Sequence, residues 1–259
     1  MYNFRILRSK IEVLLHGKAY AFFMNRVSKK GVTYKFKNSE YFIIENNVVH
    51  HFIKPRGKHY INGFRERTSD LVKSYSIDKI EFQNNDLILD VGANVGDLIP
   101  YFLNQRYIGF EPSPAEFKAL EKNSRSNCRI YNFAVGDIEN EADFFISSAG
   151  ADSSMFQPLV VESKIRVKQI RLDNLINERV KLLKVDAEGA EIEVINGVKN
   201  LFPQVEFIAI DLGFEKGIKQ ESTAPQVFNF LFENGFVLVA ITKNERYLFQ
   251  NSKVSSAIF

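Results

Sequence analysis

A short glycine-containing segment directly after an apolar run is the first feature that suggests chemistry. Its residues include Asp90, Gly92, Ala93, Asn94 and Gly96. Glycines at the end of a strand let the backbone turn sharply and approach a ligand closely. The segment lacks the middle glycine of the Gly-x-Gly-x-x-Gly dinucleotide pattern, which makes room for a pyrophosphate. It therefore disfavours NAD and favours a smaller ligand without phosphates, and Asp90 suits a cationic amino group on that ligand.

An acid ends the next apolar run, about 20 residues further along, where nucleotide-binding folds place a ribose-binding carboxylate. This acid is Glu111, and Pro112 and Pro114 fix the turn that follows it. A carboxylate at this position can accept hydrogen bonds from two ribose hydroxyls. A nucleoside with an amino acid tail and no phosphates satisfies both ends of the site, and S-adenosylmethionine is such a molecule.

Acids at the ends of later apolar runs are candidates for proton transfer. They are Asp186, Glu188 and Asp211. A hydroxyl that receives a methyl group must lose its proton as the new bond forms, and a carboxylate can accept that proton. Lys184 is a weaker candidate base because it would need a lowered pKa. Helix capping alone could also explain Asp186 and Glu188, and Asp211 could simply end its strand.

Metal-ligating residues do not form a recognisable set. Asp186 and Asp211 could hold Mg²⁺ through carboxylate oxygens, but no third ligand is identifiable. His50 and His51 are adjacent, so a strand would place their side chains on opposite faces, and His16 and His59 are isolated. We therefore predict no metal site, with a divalent cation between the two aspartates as the alternative.

Three blocks of sequence together resemble the FkbM-type methyltransferase family. They are residues 89–96, 110–114 and 184–191, and the Arg-Leu-Asp-Asn-Leu run at 171–175 adds to the resemblance. The resemblance extends over residues 87–241. It implies methyl transfer from S-adenosylmethionine to a hydroxyl, commonly on a sugar, a glycolipid or another natural product. It also implies a site role for Asp186 and Glu188, and an adenine contact for Asp137, for which a turn role after Gly136 is the alternative.

The elements that would position these residues alternate along the chain. Strands are predicted at 87–91, 107–110, 130–135, 182–185 and 207–210; helices at 97–103, 114–124, 190–198 and 224–233; and a closing hairpin at 236–241 and 246–249. This alternation predicts a parallel sheet with right-handed crossovers. Residues 143–147 and 165–170 are predicted as strands of an insertion or edge. The expected fold is α/β: a Rossmann-like class I methyltransferase fold, with a mostly parallel seven-stranded sheet and a terminal antiparallel hairpin.

Residues 1–80 are predicted to form an N-terminal α+β extension, followed by an S-adenosylmethionine-binding domain over 81–259. The extension would contain a helix over 4–27, strands at 32–36 and 41–44, and a helix over 63–74. Basic residues dominate it, which suits a solvated surface or contact with RNA or an anionic membrane surface. Acceptor specificity is expected from this extension and from the loop 148–158.

The hydropathy and cysteine content of the chain limit the remaining alternatives. No apolar stretch reaches the roughly 18 residues of a membrane span, no secretory signal is evident, and the single Cys128 cannot form an internal disulfide. A cytoplasmic O-methyltransferase with a small-molecule, glycan or glycolipid acceptor is therefore the expected function. The alternatives are an RNA methyltransferase, for which no aromatic stacking motif is present, and a non-catalytic donor-binding partner domain. The sequence does not favour nucleic acid as partner and predicts no oligomeric state.

Overall fold

Residues 14–147 and 153–254 are described by the structure, which is a computed structural model. The chain divides into two compact units between Arg67 and Thr68. Residues 68–80, which the sequence assigns to the extension, therefore belong to the second compact unit. The separate role predicted for residues 1–80 stays a prediction.

The first unit is a helix followed by an antiparallel three-stranded meander. Its elements are α1 (Gly17–Val27), β1 (Val32–Lys37), β2 (Glu40–Glu45) and β3 (Val48–Phe52), and α2 (Phe64–Ser74) begins in this unit. Paired residues with positive φ, Asn38–Ser39 and Asn46–Asn47, form the two tight turns. The two predicted strands and the second predicted helix are confirmed. Strand β3 was not predicted. The first predicted helix, 4–27, is confirmed over Gly17–Val27 but is interrupted at residues 15–16, and its residues 4–13 lie outside the described residues.

The second unit contains a seven-stranded sheet with helices and a smaller sheet attached. In chain order its elements are β4 (Leu87–Val91), β5 (Arg106–Phe110), α3 (Pro114–Asn123), β6 (Cys128–Tyr131), β7 (Ala134–Val135), β8 (Asn140–Ile146), β9 (Ser163–Ile170), α4 (Leu172–Leu175), β10 (Val180–Val185), α5 (Glu191–Gly197), β11 (Val205–Asp211), β12 (Phe214–Lys216), β13 (Glu221–Ser222), α6 (Ala224–Glu233), β14 (Phe236–Ile241) and β15 (Arg246–Asn251).

The strand order of the large sheet is β14-β15-β11-β10-β4-β5-β6. Every pairing from β6 to β11 is parallel, whereas β15 runs antiparallel to both of its neighbours. The predicted Rossmann-like architecture with its closing hairpin is confirmed. Successive residues of β4 and β10 alternate between two buried apolar clusters, one on each face of the sheet. Because both faces are covered, apolar residues occupy consecutive positions in these strands, as at Leu87–Leu89 of β4 and Leu182–Leu183 of β10.

Two predicted elements are wrong in detail. Residues 97–101 form consecutive turns instead of an α-helix, and the N–H groups of Ile99, Tyr101 and Phe102 each donate to the carbonyl oxygen three residues earlier. Pro100 explains this, because proline has no N–H and restricts the residue before it. The predicted strand 130–135 is two strands, and only β6 joins the large sheet. After Asn132 the chain leaves the large sheet, and β7 joins β9 and β8 in a separate three-stranded sheet, which confirms β8 and β9 as an insertion.

No helix in the described ranges is both long enough and apolar enough to cross a lipid bilayer.

Candidate functional site

The candidate site lies at the carboxyl ends of β11, β10, β4 and β5, which are neighbours in the sheet. Asp211, Asp186, the glycine loop (residues 92–96) and Glu111 follow or end these four strands in that spatial order. Open α/β sheets bind ligands at this edge. The predicted site residues on these strands are therefore brought to one edge, although the blocks that contain them are separated in sequence.

The glycine loop packs directly against the end of β10. Gly92 has φ +74°, and a side chain at this position would overlap with the carbonyl oxygen of Asp186. The backbone N–H of Asp186 donates to the carbonyl oxygen of Val91 at 3.0 Å, which fixes the same junction. Gly92 thus has a structural reason to be glycine, independent of any ligand.

Asp90 is buried beneath the loop, and both of its carboxylate oxygens are engaged. Lys184 Nζ lies 2.9 Å from Asp90 Oδ1, and the Tyr107 hydroxyl donates to Asp90 Oδ2 at 2.5 Å. The side chains of Asp90 and Lys184 are only 2% and 5% exposed. Lys184 Nζ also donates to the carbonyl oxygen of Gly92 at 2.8 Å. This buried ion pair therefore supports the glycine loop from inside the protein. The Asp90 side chain itself is buried and is not exposed at the ligand-binding edge of the sheet.

The lysine of this pair does not meet the condition that a base requires. Burial by itself would lower the pKa of Lys184, but the carboxylates of Asp90 and Asp186 outweigh burial and raise this pKa above its ordinary value. A lysine with a raised pKa remains protonated at neutral pH. The raised pKa therefore disfavours Lys184 as the base. Its contacts with Asp90 and with the carbonyl oxygen of Gly92 suit a role in holding the glycine loop.

Glu111 connects the glycine loop to the end of β5. Its Oε2 accepts the backbone N–H of Asn94 at 2.9 Å, and its Oε1 accepts the N–H of Ser113 at 2.8 Å. Asn132 Nδ2 donates to the carbonyl oxygens of Glu111 and Pro112. Because a carboxylate oxygen can accept more than one hydrogen bond, holding these turns is compatible with binding a ribose.

Asp186 is the most exposed aspartate of the three that follow or end β4, β10 and β11. Its side chain is 24% exposed, compared with 8% for Asp211. The hydroxyl of Tyr75, directly after α2, donates to Asp186 Oδ2 at 2.6 Å. Lys184 Nζ lies 3.8 Å from the same oxygen. Burial first, and then the Asp186 carboxylate, raise the pKa of Tyr75 well above its ordinary value, so Tyr75 stays protonated and serves as the donor.

Asp211 is paired with an arginine from the antiparallel strand. Arg246 Nε lies 2.6 Å from Asp211 Oδ2, and the N–H of Gly213 donates to Asp211 Oδ1 at 3.3 Å. Burial, followed by the Asp186 carboxylate, raises the pKa of Asp211 to about 6, although Arg246 acts in the opposite direction. The Asp186 and Asp211 carboxylates therefore share one edge of the sheet, where Lys184 lies near the first and Arg246 is paired with the second.

The loop after Asp186 is held by a buried glutamate. Glu191 Oε1 accepts the backbone N–H groups of Ala187 and Gly189, and its Oε2 accepts the Thr223 hydroxyl at 2.9 Å. Burial raises the pKa of Glu191 to about 7. Glu188, within this loop, has φ +51°, and its carbonyl oxygen accepts the Ser154 hydroxyl at 2.6 Å. The loop 148–158 thus reaches Glu188 through Ser154, while residues 148–152 lie outside the described residues.

The Arg-Leu-Asp-Asn-Leu run has a structural role on the small sheet. Arg171 makes two hydrogen bonds to Asp173, at 3.0 and 2.6 Å, and donates to the carbonyl oxygens of Asp137 and Asn196. Asp137 is half-buried at the end of the segment that carries β7. Its backbone is therefore fixed by Arg171, which is compatible with either the adenine contact or the turn role.

Within residues 14–147 and 153–254, no group of three or more His, Cys, Asp or Glu side chains could hold a metal ion. His50 and His51 do lie on opposite faces of β3: His50 stacks on Phe64, and His51 lies against Phe42. Asp186 and Asp211 face a lysine and an arginine, which already supply positive charge at this edge.

Sequence reasoning missed several residues that shape the site: Tyr75, Tyr107, Glu191 and Arg246. Glu191 lies inside the block 184–191, so its position beside a helix start could have identified it. Tyr75 and Arg246 carry no pattern in their own neighbourhoods. Their roles depend on contacts between distant parts of the chain.

A family model described as the methyltransferase FkbM domain matches residues 90–238, more than half of the chain. The chain is 25% identical over 138 residues to the hexuronic acid methyltransferase AglP of Haloferax volcanii, and the match covers 51% of this chain. The chain spans little more than half of AglP, 58% of its length. It is 26% identical over 182 residues to the 2-O-methyltransferase NoeI of Sinorhizobium fredii, covering 60% of this chain and 75% of NoeI.

Among solved structures, the chain is similar to the methyltransferase FkbM from Methylobacillus flagellatus. The identity is 15% and the TM-score 0.48, with 76% of this chain and 53% of that chain covered.

Proposed function

The chain belongs to the FkbM methyltransferase family, and from this membership we propose that it transfers the methyl group of S-adenosylmethionine to a hydroxyl of a sugar-containing acceptor. The observation that carries the proposal is the position of Asp186. It follows β10, beside the glycine loop on one side and Asp211 on the other, and its side chain is partly exposed. A relative named for hexuronic acid and another named for 2-O-methylation support a sugar hydroxyl as the acceptor.

We place the donor along the glycine loop and Glu111. The backbone of residues 92–96 would line its amino acid portion, Glu111 would accept hydrogen bonds from the ribose hydroxyls, and Asp137 would approach the adenine. The buried Asp90–Lys184 pair would keep the loop in shape while contributing little net charge. This arrangement uses the same strand ends at which other open α/β sheets bind nucleosides.

The reaction is an in-line displacement. The acceptor oxygen attacks the methyl carbon, the carbon–sulfur bond breaks with its electron pair going to sulfur, and S-adenosylhomocysteine leaves. We assign the acceptor proton to the Asp186 carboxylate. Asp211 is less suited because it is more buried and is paired with Arg246 at 2.6 Å. Glu188, two residues further along, is the alternative base. Most of the acceleration would come from holding the reactants aligned and nearly in contact.

The donor half of the proposal is tested by calorimetry with S-adenosylmethionine, S-adenosylhomocysteine and NADH. We expect binding of the first two ligands and none of NADH. Binding of NADH alone would contradict the proposal.

The acceptor half is tested with methyl-labelled donor and a panel of methyl glucoside, methyl glucuronide, a lipid-linked sugar and RNA. A hexuronic acid offers both hydroxyls and a carboxylate, and the two products differ chemically. A methyl ether survives mild alkali, whereas a methyl ester is hydrolysed. We expect alkali-stable label on a sugar. Label on RNA would replace the glycan or glycolipid acceptor with a nucleic acid, and label that alkali releases would replace the hydroxyl with a carboxylate, so either result would refute the proposal.

The base is tested with Asp186→Asn. We expect turnover to fall at least about a hundredfold, the usual contribution of a general base, while affinity for S-adenosylhomocysteine stays the same. Asp70→Asn, at an exposed position of α2, is the matched control for loss of an aspartate charge. Turnover that survives in Asp186→Asn would move the assignment to Glu188, for which Glu188→Gln is the corresponding variant.

A further inference from the structure

Tyr75 lies before the segment that matches the family model, yet it contacts the proposed base. The side chain is 1% exposed, and its hydroxyl donates to Asp186 Oδ2 at 2.6 Å. A hydrogen bond to a charged acceptor is about twice as strong as one between neutral groups. The contact therefore restrains the orientation of the carboxylate from outside the matched residues 90–238.

A second residue outside that segment holds Tyr75 in place. The Arg246 guanidinium lies over the Tyr75 ring, 4.3 Å from its centre, and Arg246 Nη1 donates to Ser74 Oγ at 2.7 Å. The Thr242 hydroxyl donates to the carbonyl oxygen of Ser74 at 2.9 Å. The β14–β15 hairpin thus fixes the end of α2 through its turn and its second strand, while Arg246 Nε is paired with Asp211.

We propose that Tyr75 and Arg246 are positioning residues that hold the Asp186 carboxylate in the orientation needed to accept the acceptor proton. This inference rests on the proposed function, because it concerns the base of that reaction. Tyr75 acts through its hydrogen bond to Asp186, and Arg246 acts through the ring of Tyr75. Neither residue needs to touch the donor or the acceptor.

The hydrogen bond also affects the proton affinity of the base. A donor to a carboxylate stabilises its charged form, so removing the Tyr75 hydroxyl should raise the pKa of Asp186. Several other ionisable groups interact with Asp186 from the elements packed around it: Lys184 of β10, Glu191 of α5, Asp211 of β11 and Arg246 of β15. Tyr75→Phe leaves all of these groups in place and removes only the hydroxyl.

The chain offers a matched control. Tyr107 is equally buried, and its hydroxyl donates to an aspartate carboxylate, that of Asp90, at 2.5 Å. Tyr107→Phe therefore removes the same kind of hydrogen bond one strand away from the base. Thermal unfolding and affinity for S-adenosylhomocysteine would establish that both phenylalanine variants are folded.

The first measurement needs no acceptor. The Asp186 carboxyl carbon is followed by ¹³C NMR during a pH titration of the full chain, with Asp186→Asn for assignment. We expect Tyr75→Phe to raise the pKa of Asp186 by about one pH unit and Tyr107→Phe to leave it unchanged. An unchanged pKa in Tyr75→Phe, or an equal rise in both variants, would overturn the inference. Failure to methylate a hydroxyl would refute the proposed function without altering this titration.

The second measurement uses a sugar acceptor from the panel. In Tyr75→Phe we expect kcat to fall about tenfold, KM for the donor to stay constant and the acidic limb of the pH–rate profile to move to higher pH. Arg246→Lys should lower kcat by itself. In the double variant with Tyr75→Phe, the fall in kcat should be smaller than the product of the two single effects, because both residues act through one hydrogen bond to Asp186. Independent, fully multiplying effects would remove Arg246 from the inference.

Discussion

Replacing Glu191 with glutamine is expected to remove a pH dependence from the stability of the second unit. Glu191 is buried, and its two carboxylate oxygens accept hydrogen bonds from Ala187, Gly189 and Thr223. Burial raises its pKa from 4.5 to about 7. Glutamine can preserve these contacts, because its Oε1 accepts the two backbone N–H groups and its Nε2 can donate to the Thr223 hydroxyl.

The sign and size of the effect follow from the two pKa values. Between pH 4.5 and about 7 the folded chain keeps a proton on Glu191 that the unfolded chain releases. Stability from this group is complete below pH 4.5 and is lost as the pH rises through about 7. At about 1.4 kcal/mol for each pKa unit, the loss amounts to about 3 kcal/mol, which corresponds to about 6–12 °C in Tm for a unit of this size.

The assay is urea unfolding of the wild type and Glu191→Gln at several pH values from 4.5 to 8. The wild type should lose stability relative to the variant as the pH rises, so that the difference between the two changes by about 3 kcal/mol between pH 4.5 and pH 8. Asp211 titrates in the same range in both proteins and cancels in the difference. Glu121→Gln, at an exposed position of α3, controls for the loss of a glutamate charge. A constant difference between wild type and Glu191→Gln across this range would refute the reasoning.

Two further substitutions test the packing around the site. Gly92→Ala should destabilise the fold by about 3–5 kcal/mol in chemical denaturation, because the residue has a positive φ and the new methyl group would overlap with the carbonyl oxygen of Asp186. Gly217→Ala, with φ +67° but open space around the position, should cost only about 1–2 kcal/mol. Equal costs for the two variants would contradict the overlap at Gly92. Arg171→Ala should destabilise the fold by about 2–3 kcal/mol in the same assay, because it removes the ion-pair partner of the buried Asp173. Arg166→Ala, which removes an exposed ion pair with Asp143, should cost under about 1 kcal/mol.

The sheet and its site-bearing edge were predictable because their signals are local. Each buried strand is a short apolar run, and the acids or glycines that follow β4, β5, β10 and β11 come directly after these runs. Parallel pairing then requires their carboxyl ends to share one edge. Local signals were also sufficient for the α6 helix and the closing hairpin, since both have clear periodicity and turn residues.

The parts that escaped prediction depend on competing local preferences or on distant contacts. The helical pattern of residues 97–103 is opposed by Pro100, which has no N–H. Asn132 interrupts an apolar run because its side chain hydrogen-bonds to the turn at Glu111 and Pro112. Tyr75 and Asp186 are 111 positions apart, and their hydrogen bond depends on how α2 packs against the sheet. No pattern within either segment encodes that contact.

The bond between Arg246 and Ser74 also sets an order of events during synthesis of the chain. The two residues are separated by 172 positions, so at about 5–20 residues per second the ribosome adds Arg246 roughly 10–30 s after Ser74. The glycine loop, Glu111 and Asp186 are all made before the hairpin that secures Tyr75. The chain therefore contains every predicted donor-binding residue well before it contains the hairpin that holds Tyr75 against the Asp186 carboxylate.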